Sequence, residues 1–372
     1  MGYSVGLPRM HKERGERRDF LPAFVAVLER AGASAIVAEE GYGTGLGLQP
    51  RDFLDRAPCV RFASYEECLA QDVVVVIRCP NEVGLASLRR GAVLLSMLHF
   101  GTRPRRVELL LERGIVAVAM DGIVDDTGLR LVEDLEGVAW NGTREAFRTI
   151  RRTHPRFDHP ERRPLHVTCL GSGRVGGWAV HASTRYGEPG LREELAVRRV
   201  PGVEVTVVDF DLTWHEDYMR ERLGATDLLI DATHRRDPTR PVVPNAWLAE
   251  LPDDAVILDL AADPYDFALE PPYVKGIEGT PPGDLDRWAF EPDDPVYDAI
   301  DERVDTRNRR FALSCYSWPG LEPARCMRRY GEQLEPIVDL ILRMPAERWD
   351  ATGGSHVERA VARAEVTRWM AG

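Results

Sequence analysis

The sequence predicts an α/β protein built from two doubly wound units. Three observations lead there. Short, uninterrupted apolar runs alternate with helical patterns in two successive series, a proline-rich polar stretch separates the series, and the first strand of the second series feeds a glycine turn and a helix. Strands that are apolar throughout imply parallel sheets covered on both faces.

Taken in order, Pro22 opens a stretch in which Phe24, Val25, Val27, Leu28 and Ala31 fall at helical spacing, and Gly32 stops it. Strand-like runs follow at 35–38, 73–77, 93–97 and 115–119, each preceded by a helical pattern, such as 104–113 before the last. The stretch 153–164 carries Pro155, Pro160 and Pro164, which prevent regular structure and mark a linker. Beyond it, strand-like runs recur at 166–170, 203–208, 228–231 and 256–260. Residues 263–308 are rich in proline and acids and read as long loops, and 322–344 and 357–370 return to helical periodicity.

The 372 residues suffice for two or three domains. Acidic residues outnumber basic ones by 60 to 48, for a net charge of -12, so the chain would repel a polyphosphate and no nucleic-acid partner is expected. Only Lys12 and Lys275 are lysines; every other basic residue is arginine. The opening residues lack the charged-then-apolar layout of a signal peptide. The longest aliphatic run, 73–77, falls far short of the ~20 residues that cross a bilayer. Cys59, Cys68, Cys79, Cys169, Cys315 and Cys326 form no CxxC pair, so neither a disulfide framework nor a structural metal is expected. A soluble cytoplasmic protein with free thiols is the expectation.

The segment 167–181 contains G-x-G-x-x-G between an apolar strand and a helical pattern. Gly171 permits the tight turn, Gly173 lets a pyrophosphate reach the backbone, and Gly176 lets helix and sheet pack closely. Ser172, Arg174 and Val175 complete the turn and open the helix, whose N-terminal N–H groups suit phosphates. The next strand ends at Asp209, an acid that can accept both ribose hydroxyls and would repel a 2′-phosphate, favouring NAD. Asp211 is a rival for that task. The gap from Gly176 to Asp209 is longer than usual, and 187–200 accounts for the excess as a surface insertion.

With this motif in place, the chain resembles the alanine dehydrogenase and saccharopine dehydrogenase superfamily over nearly its whole length. Gly6-Leu-Pro8, then Arg17 and Phe20-Leu-Pro22, resemble the shared opening, and Leu98-His99 and 121–128 resemble the substrate-domain histidine and its acidic turn. The segments 142–147, 257–263 and 314–323 resemble the lysine-forming saccharopine dehydrogenase branch. The resemblance implies two Rossmann-like domains with an active-site cleft between them. The first, a substrate domain, would be discontinuous (1–147 plus 322–372), and 148–321 would bind NAD, with Thr233 and Asp263 in the cofactor set.

It also implies hydride transfer between a nicotinamide and the carbon of a C–N bond in an amino acid, a secondary amine in the saccharopine branch. Such chemistry needs a carboxylate clamp, a proton-cycling group and a positioned nicotinamide. Arg17 and Arg144 are the implied clamps, because a guanidinium holds a carboxylate bidentately. His99 is the implied acid/base, tuned by Asp121. The chain departs from the family where a lysine–glutamate pair is replaced by Arg78-Cys79. A guanidinium stays protonated, so Arg78 can clamp a carboxylate or polarise a carbonyl but cannot act as a base. Thr102 and Tyr316 replace a further lysine and acid of that branch, and Lys12 is the one lysine near Arg17 able to take a catalytic part. The leading expectation is an NAD-dependent dehydrogenase acting on an N-linked amino-acid conjugate in a specialised pathway, with a weak lean to a monomer and no metal. Its alternatives are an alanine-dehydrogenase-like primary-amine enzyme, or a non-catalytic NAD-binding protein.

Overall fold

The computed structural model describes residues 2–11, 13–235 and 237–371. The chain divides into two compact units, Met1–Asp134 with Glu322–Gly372, and Leu135–Leu321.

The first unit is a parallel six-stranded sheet of β1 (Ser4–Leu7), β2 (Ala35–Glu39), β3 (Val60–Ala63), β4 (Val73–Arg78), β5 (Val93–Met97) and β6 (Val116–Ala119). Their spatial order is β3-β2-β1-β4-β5-β6, so the winding reverses between β1 and β4. The run 73–77 serves both faces: Val73, Val75 and Ile77 enter one core, while Val74 and Val76 enter the other. Helix Pro22–Arg30 covers the first face together with helix Pro323–Arg343, whose Met327, Tyr330, Leu334, Ile337 and Ile341 recur at helical spacing. Helix Pro104–Arg113 covers the other through Val107 and Leu110. The sequence reading left out β1 and β3. The first contains Gly6, which sits so close to Cys68 that a Cβ would lie 1.9 Å from its carbonyl oxygen; the second is an edge strand broken by the exposed Arg61.

The second unit holds β7 (Leu165–Leu170), β8 (Val203–Val208), β9 (Leu228–Asp231), β10 (Val256–Asp259), β11 (Ala289–Phe290) and β12 (Phe311–Ser314). The order is β11-β12-β10-β9-β7-β8, parallel except for the edge strand β11. Helix Leu135–Thr153 buries Ala139, Ala146, Phe147 and Ile150 in this unit's core with Leu258 and Trp318.

That helix corrects two expectations. The chain passes into the second unit at 134–135 rather than at 147, and the proline stretch 153–164 lies inside that unit, linking the helix to β7. The insertion expected at 187–200 contains an ordered helix, Pro189–Val197, anchored by the buried Leu195. The last helical stretch is split into His356–Arg363 and Val366–Ala371, because Glu365 between them bridges to Val118 in β6. Among the described residues, no helix is long and apolar enough to cross a membrane.

Candidate active site

In open parallel sheets a crevice forms outside the carboxyl ends of the strands where the winding reverses. In the first unit that place is the end of β1 and β4. Arg78 is the last residue of β4, and the buried Cys79 follows it. Beside them a pocket of about 60 Å³ is lined by Arg9, His11, Tyr65 and Asn81. The Arg78 guanidinium donates to Glu13 Oε1 at 2.9 Å, so its charge is partly balanced and its direction set. Arg9 places Nε 3.6 Å from the buried Asp19, whose Oδ2 accepts the Gly43 N–H at 2.8 Å. Burial pushes the Asp19 carboxyl up to about 6, against the pull of the Gly43 N–H and Arg9.

The end of β5, next to β4, carries His99. Its backbone is left-handed, with φ 49°, which is unusual for a non-glycine residue and costs on the order of 1 kcal/mol. Asp121, in the turn after β6, holds it there. Its carboxylate accepts the N–H of Leu98 at 2.8 Å and of His99 at 3.2 Å, and stands 3.1 Å from His99 Nδ1. Burial alone would raise the Asp121 carboxyl, but the His99 ring and backbone outweigh it and bring it down to about 2. A carboxylate fixed on Nδ1 assigns that nitrogen the proton and leaves Nε2 to exchange.

Of the other residues singled out in sequence, Arg17 lies on the loop after β1, exposed and packed over Gly45, beside the buried pair Arg18–Glu16. Thr102 closes the short turn that starts at His99. Lys12 lies outside the described residues. Arg144 belongs to the second unit, on helix Leu135–Thr153, with Nε 3.5 Å from Glu145. Tyr316 also lies in the second unit, just past β12, its backbone N–H bonded to the Gly283 carbonyl.

The glycine turn of the second unit is built for a close approach. Gly171 has φ +96°, and a Cβ there would lie 2.8 Å from the Ala232 carbonyl; a Cβ on Gly176 would lie 2.0 Å from the Gly171 carbonyl. On Gly173 a Cβ would meet no protein atom within 4 Å, so that face of the backbone is open to a ligand. Helix Arg174–Ser183 starts there, with Val175 packed on the core. Asp209 stands one residue past β8, exposed, and Ser172 Oγ donates to its Oδ2, which lowers its pKa. These residues fit a dinucleotide: a cradle empty of side chains, a helix N-terminus, and an acid at the neighbouring strand end.

Thr233 turns both its N–H and its hydroxyl to Asp231 Oδ1, at 3.0 and 2.6 Å. Asp263 pairs with Arg235 at 2.7 Å. The same unit carries a group that sequence reading missed. Buried Lys275 Nζ sits 2.6 Å from Asp259 Oδ2 and donates to Ser314 Oγ at 3.1 Å, tying together the ends of β10 and β12. Burial and the neighbouring Asp259 push Asp231 upward, and a Cβ on Gly276 would lie 2.1 Å from its Oδ2. The available signal was compositional: Lys275 is one of two lysines in an arginine-rich chain.

Known proteins share parts of this sequence and its fold. Residues 6–139 match the family described as alanine dehydrogenase/PNT, N-terminal domain. An alanine dehydrogenase of Mycolicibacterium smegmatis is 24% identical over 270 residues, covering 70% of this chain and 72% of its own. One of Bilophila wadsworthia is 28% identical over 136 residues, 36% of each chain. A solved structure of L-alanine dehydrogenase superposes with a TM-score of 0.68 at 18% identity, covering 97% of this chain and 94% of that one, which shows a shared fold. The expected lean toward the saccharopine branch gains no support, since these relatives are alanine dehydrogenases.

Proposed function

We propose that this chain is an NAD-dependent amino-acid dehydrogenase, acting in the cytoplasm on a small primary amine in the manner of alanine dehydrogenase. The observation that carries the reading is the coexistence of two sites in one chain. One is a carboxyl-edge site with a His–Asp pair and a fixed guanidinium; the other is a glycine cradle with Asp209 at the neighbouring strand end. The relatives' names support the amino-acid substrate class.

Gly171, Ser172, Gly173 and the N-terminus of helix Arg174–Ser183 would hold the pyrophosphate, and Asp209 the adenosine ribose. NAD, when bound, supplies the hydride acceptor for the substrate's α-carbon. Arg78 offers a permanent charge to the substrate carboxylate, or to a carbonyl oxygen as it forms. His99 takes protons from nitrogen or water through Nε2, while Asp121 keeps its proton on Nδ1 and stabilises the imidazolium. Arg17, on the loop after β1, is the second clamp proposed.

One observation favours a second reading. Arg78 cannot cycle a proton, which leaves room for a protein that binds NAD without turnover. The deciding experiment incubates the purified full chain with NAD and a panel holding alanine, glycine, serine and saccharopine, and follows NADH. Formation with a short primary amine is expected. Formation with saccharopine alone would restore the secondary-amine reading; NAD binding without any NADH would favour the non-catalytic one.

A further inference from the structure

The pocket at the β1/β4 reversal contains a second histidine–carboxylate pair that the proposed chemistry has not used. Glu39, the last residue of β2, is buried, and its two oxygens do different work. Oε2 accepts the backbone N–H of Arg9 at 2.7 Å, which fixes the carboxylate, and Oε1 lies 2.6 Å from His11 Nε2. The ring of Tyr65 stands edge-on to the imidazole, with centroids 5.1 Å apart. A carboxylate on one ring nitrogen and an aromatic wall are what orient a general base, and they leave Nδ1 as the exchanging atom. The same pocket is lined by Arg78 and Cys79, the residues that end β4. Its remaining cation, Arg9, has a buried Nε that finds no hydrogen-bond acceptor among the described residues and stands 3.6 Å from Asp19 Oδ2.

We propose that His11, oriented by Glu39, is a second proton-transferring residue of this site, and that Arg9 and Arg78 hold the carboxylate of a short 2-oxo or 2-amino acid beside it. The proposal rests on the dehydrogenase reading above. That chemistry moves protons at two atoms, nitrogen and the oxygen of the water that adds to the imine. As water adds, its C–O bond forms, the C=N electron pair passes to nitrogen, and a water proton goes to His11 Nδ1. The imidazolium gives that proton to the amine nitrogen. As the C–N bond breaks, the hydroxyl proton passes back to His11 Nδ1, its O–H electron pair forming the carbonyl, and it leaves for solvent when ammonia departs. A guanidinium at the end of β4 cannot take either proton, whereas an imidazole paired with a buried carboxylate can. Among the described residues, Glu39, Tyr65, Arg9, Arg78 and Cys79 are the titratable and charged groups around the ring in this pocket.

The test uses the full chain with NAD and the best amino acid of the panel. His11→Gln is expected to lower kcat roughly 10²-fold or more, the usual worth of general acid–base catalysis, with KM changed far less. Glu39→Asp should retain more activity than Glu39→Gln and displace the pH profile of kcat. A non-catalytic readout accompanies it: pyruvate added to the NADH-loaded protein should shift the His11 ring signals in NMR, and Arg9→Ala should abolish that shift. Wild-type turnover with His11→Gln unchanged in kcat and pH profile, or His11 signals indifferent to pyruvate, overturns the proposal while leaving the dehydrogenase reading standing. Absence of turnover in the wild type strikes that reading first and removes this proposal with it.

Discussion

Asp121 holds His99 by three bonds, taking its backbone N–H, the N–H of Leu98 before it, and the ring Nδ1 at 3.1 Å. The left-handed backbone at His99 and the direction of its imidazole therefore have one cause. His99→Ala is expected to lower kcat roughly 10²–10⁴-fold. Asp121→Asn should also lower kcat, since an amide can favour the wrong ring tautomer, and it should destabilise the turn. The Asp121 carboxyl is held at about 2 against an ordinary 3.8. Its contribution, roughly 2 kcal/mol, is thus present above pH 3.8 and lost as pH falls through about 2. Chemical denaturation of wild type and Asp121→Asn at acid and neutral pH checks this: the gap should be widest at neutral pH.

Arg78 separates holding a substrate from moving its protons. Arg78→Ala should raise KM strongly while the pH dependence of kcat keeps its form, because the permanent charge that was removed did not titrate. Steady-state kinetics across pH read both. A pH profile that loses a limb in Arg78→Ala would mean that the guanidinium governs a titrating partner.

Asp209 is expected to set the preference for NAD over NADP. Asp209→Ala should weaken NAD binding by about 1–3 kcal/mol, the scale of hydrogen bonds to a charged group, and narrow the gap to NADP. Ser172→Ala, which removes the hydroxyl that holds the carboxylate, should have a smaller effect in the same direction. Calorimetric titration with both nucleotides measures this, and tenfold tighter binding of NADP by the wild type would refute the assignment.

Asp19 acts in the opposite sense to Asp121. Its carboxyl is pushed from 3.8 to about 6, so the folded state holds a proton that the unfolded chain has released. Stability from this group is full below pH 3.8 and is lost as pH rises to about 6, by roughly 3 kcal/mol. Asp19→Asn, which keeps an acceptor for the Gly43 N–H, should flatten that part of the stability curve. Thermal melts between pH 4 and pH 7 provide the comparison, and an unchanged slope would count against it.

The second unit was the more legible in sequence because its signals are local. Strand, glycines and helix follow one another from Val167 to His181, with Gly171 turning at φ +96° ahead of helix Arg174–Ser183. His99 and Asp121 could be named through their neighbours in the chain, yet their contact joins the ends of two strands and is invisible to periodicity. The pair His11–Glu39 escaped for the same reason: it joins the loop after β1 to the end of β2 and carries no motif. Lys275 was counted but not understood, since its meaning depends on Asp259 and Ser314, which arrive from different strands. Arg144 falls in the second unit rather than the first, because helix Leu135–Thr153 reads in sequence as a continuation of the first unit while its apolar face is spent on the second.

The division of the chain has a consequence for how the protein comes into being on the ribosome. The second unit is one unbroken stretch, Leu135–Leu321, whereas the first needs helix Pro323–Arg343 to close its core around Phe24, Leu28 and Val75. Synthesis runs from the N-terminus, and domains generally fold as whole units once their sequence has emerged. The N-terminal stretch of the first unit is therefore completed last: its sheet must wait, one face only partly covered, while the glycine-turn unit emerges and folds. Through that interval the apolar residues of β1, β2 and β4 are the surface most in need of a chaperone.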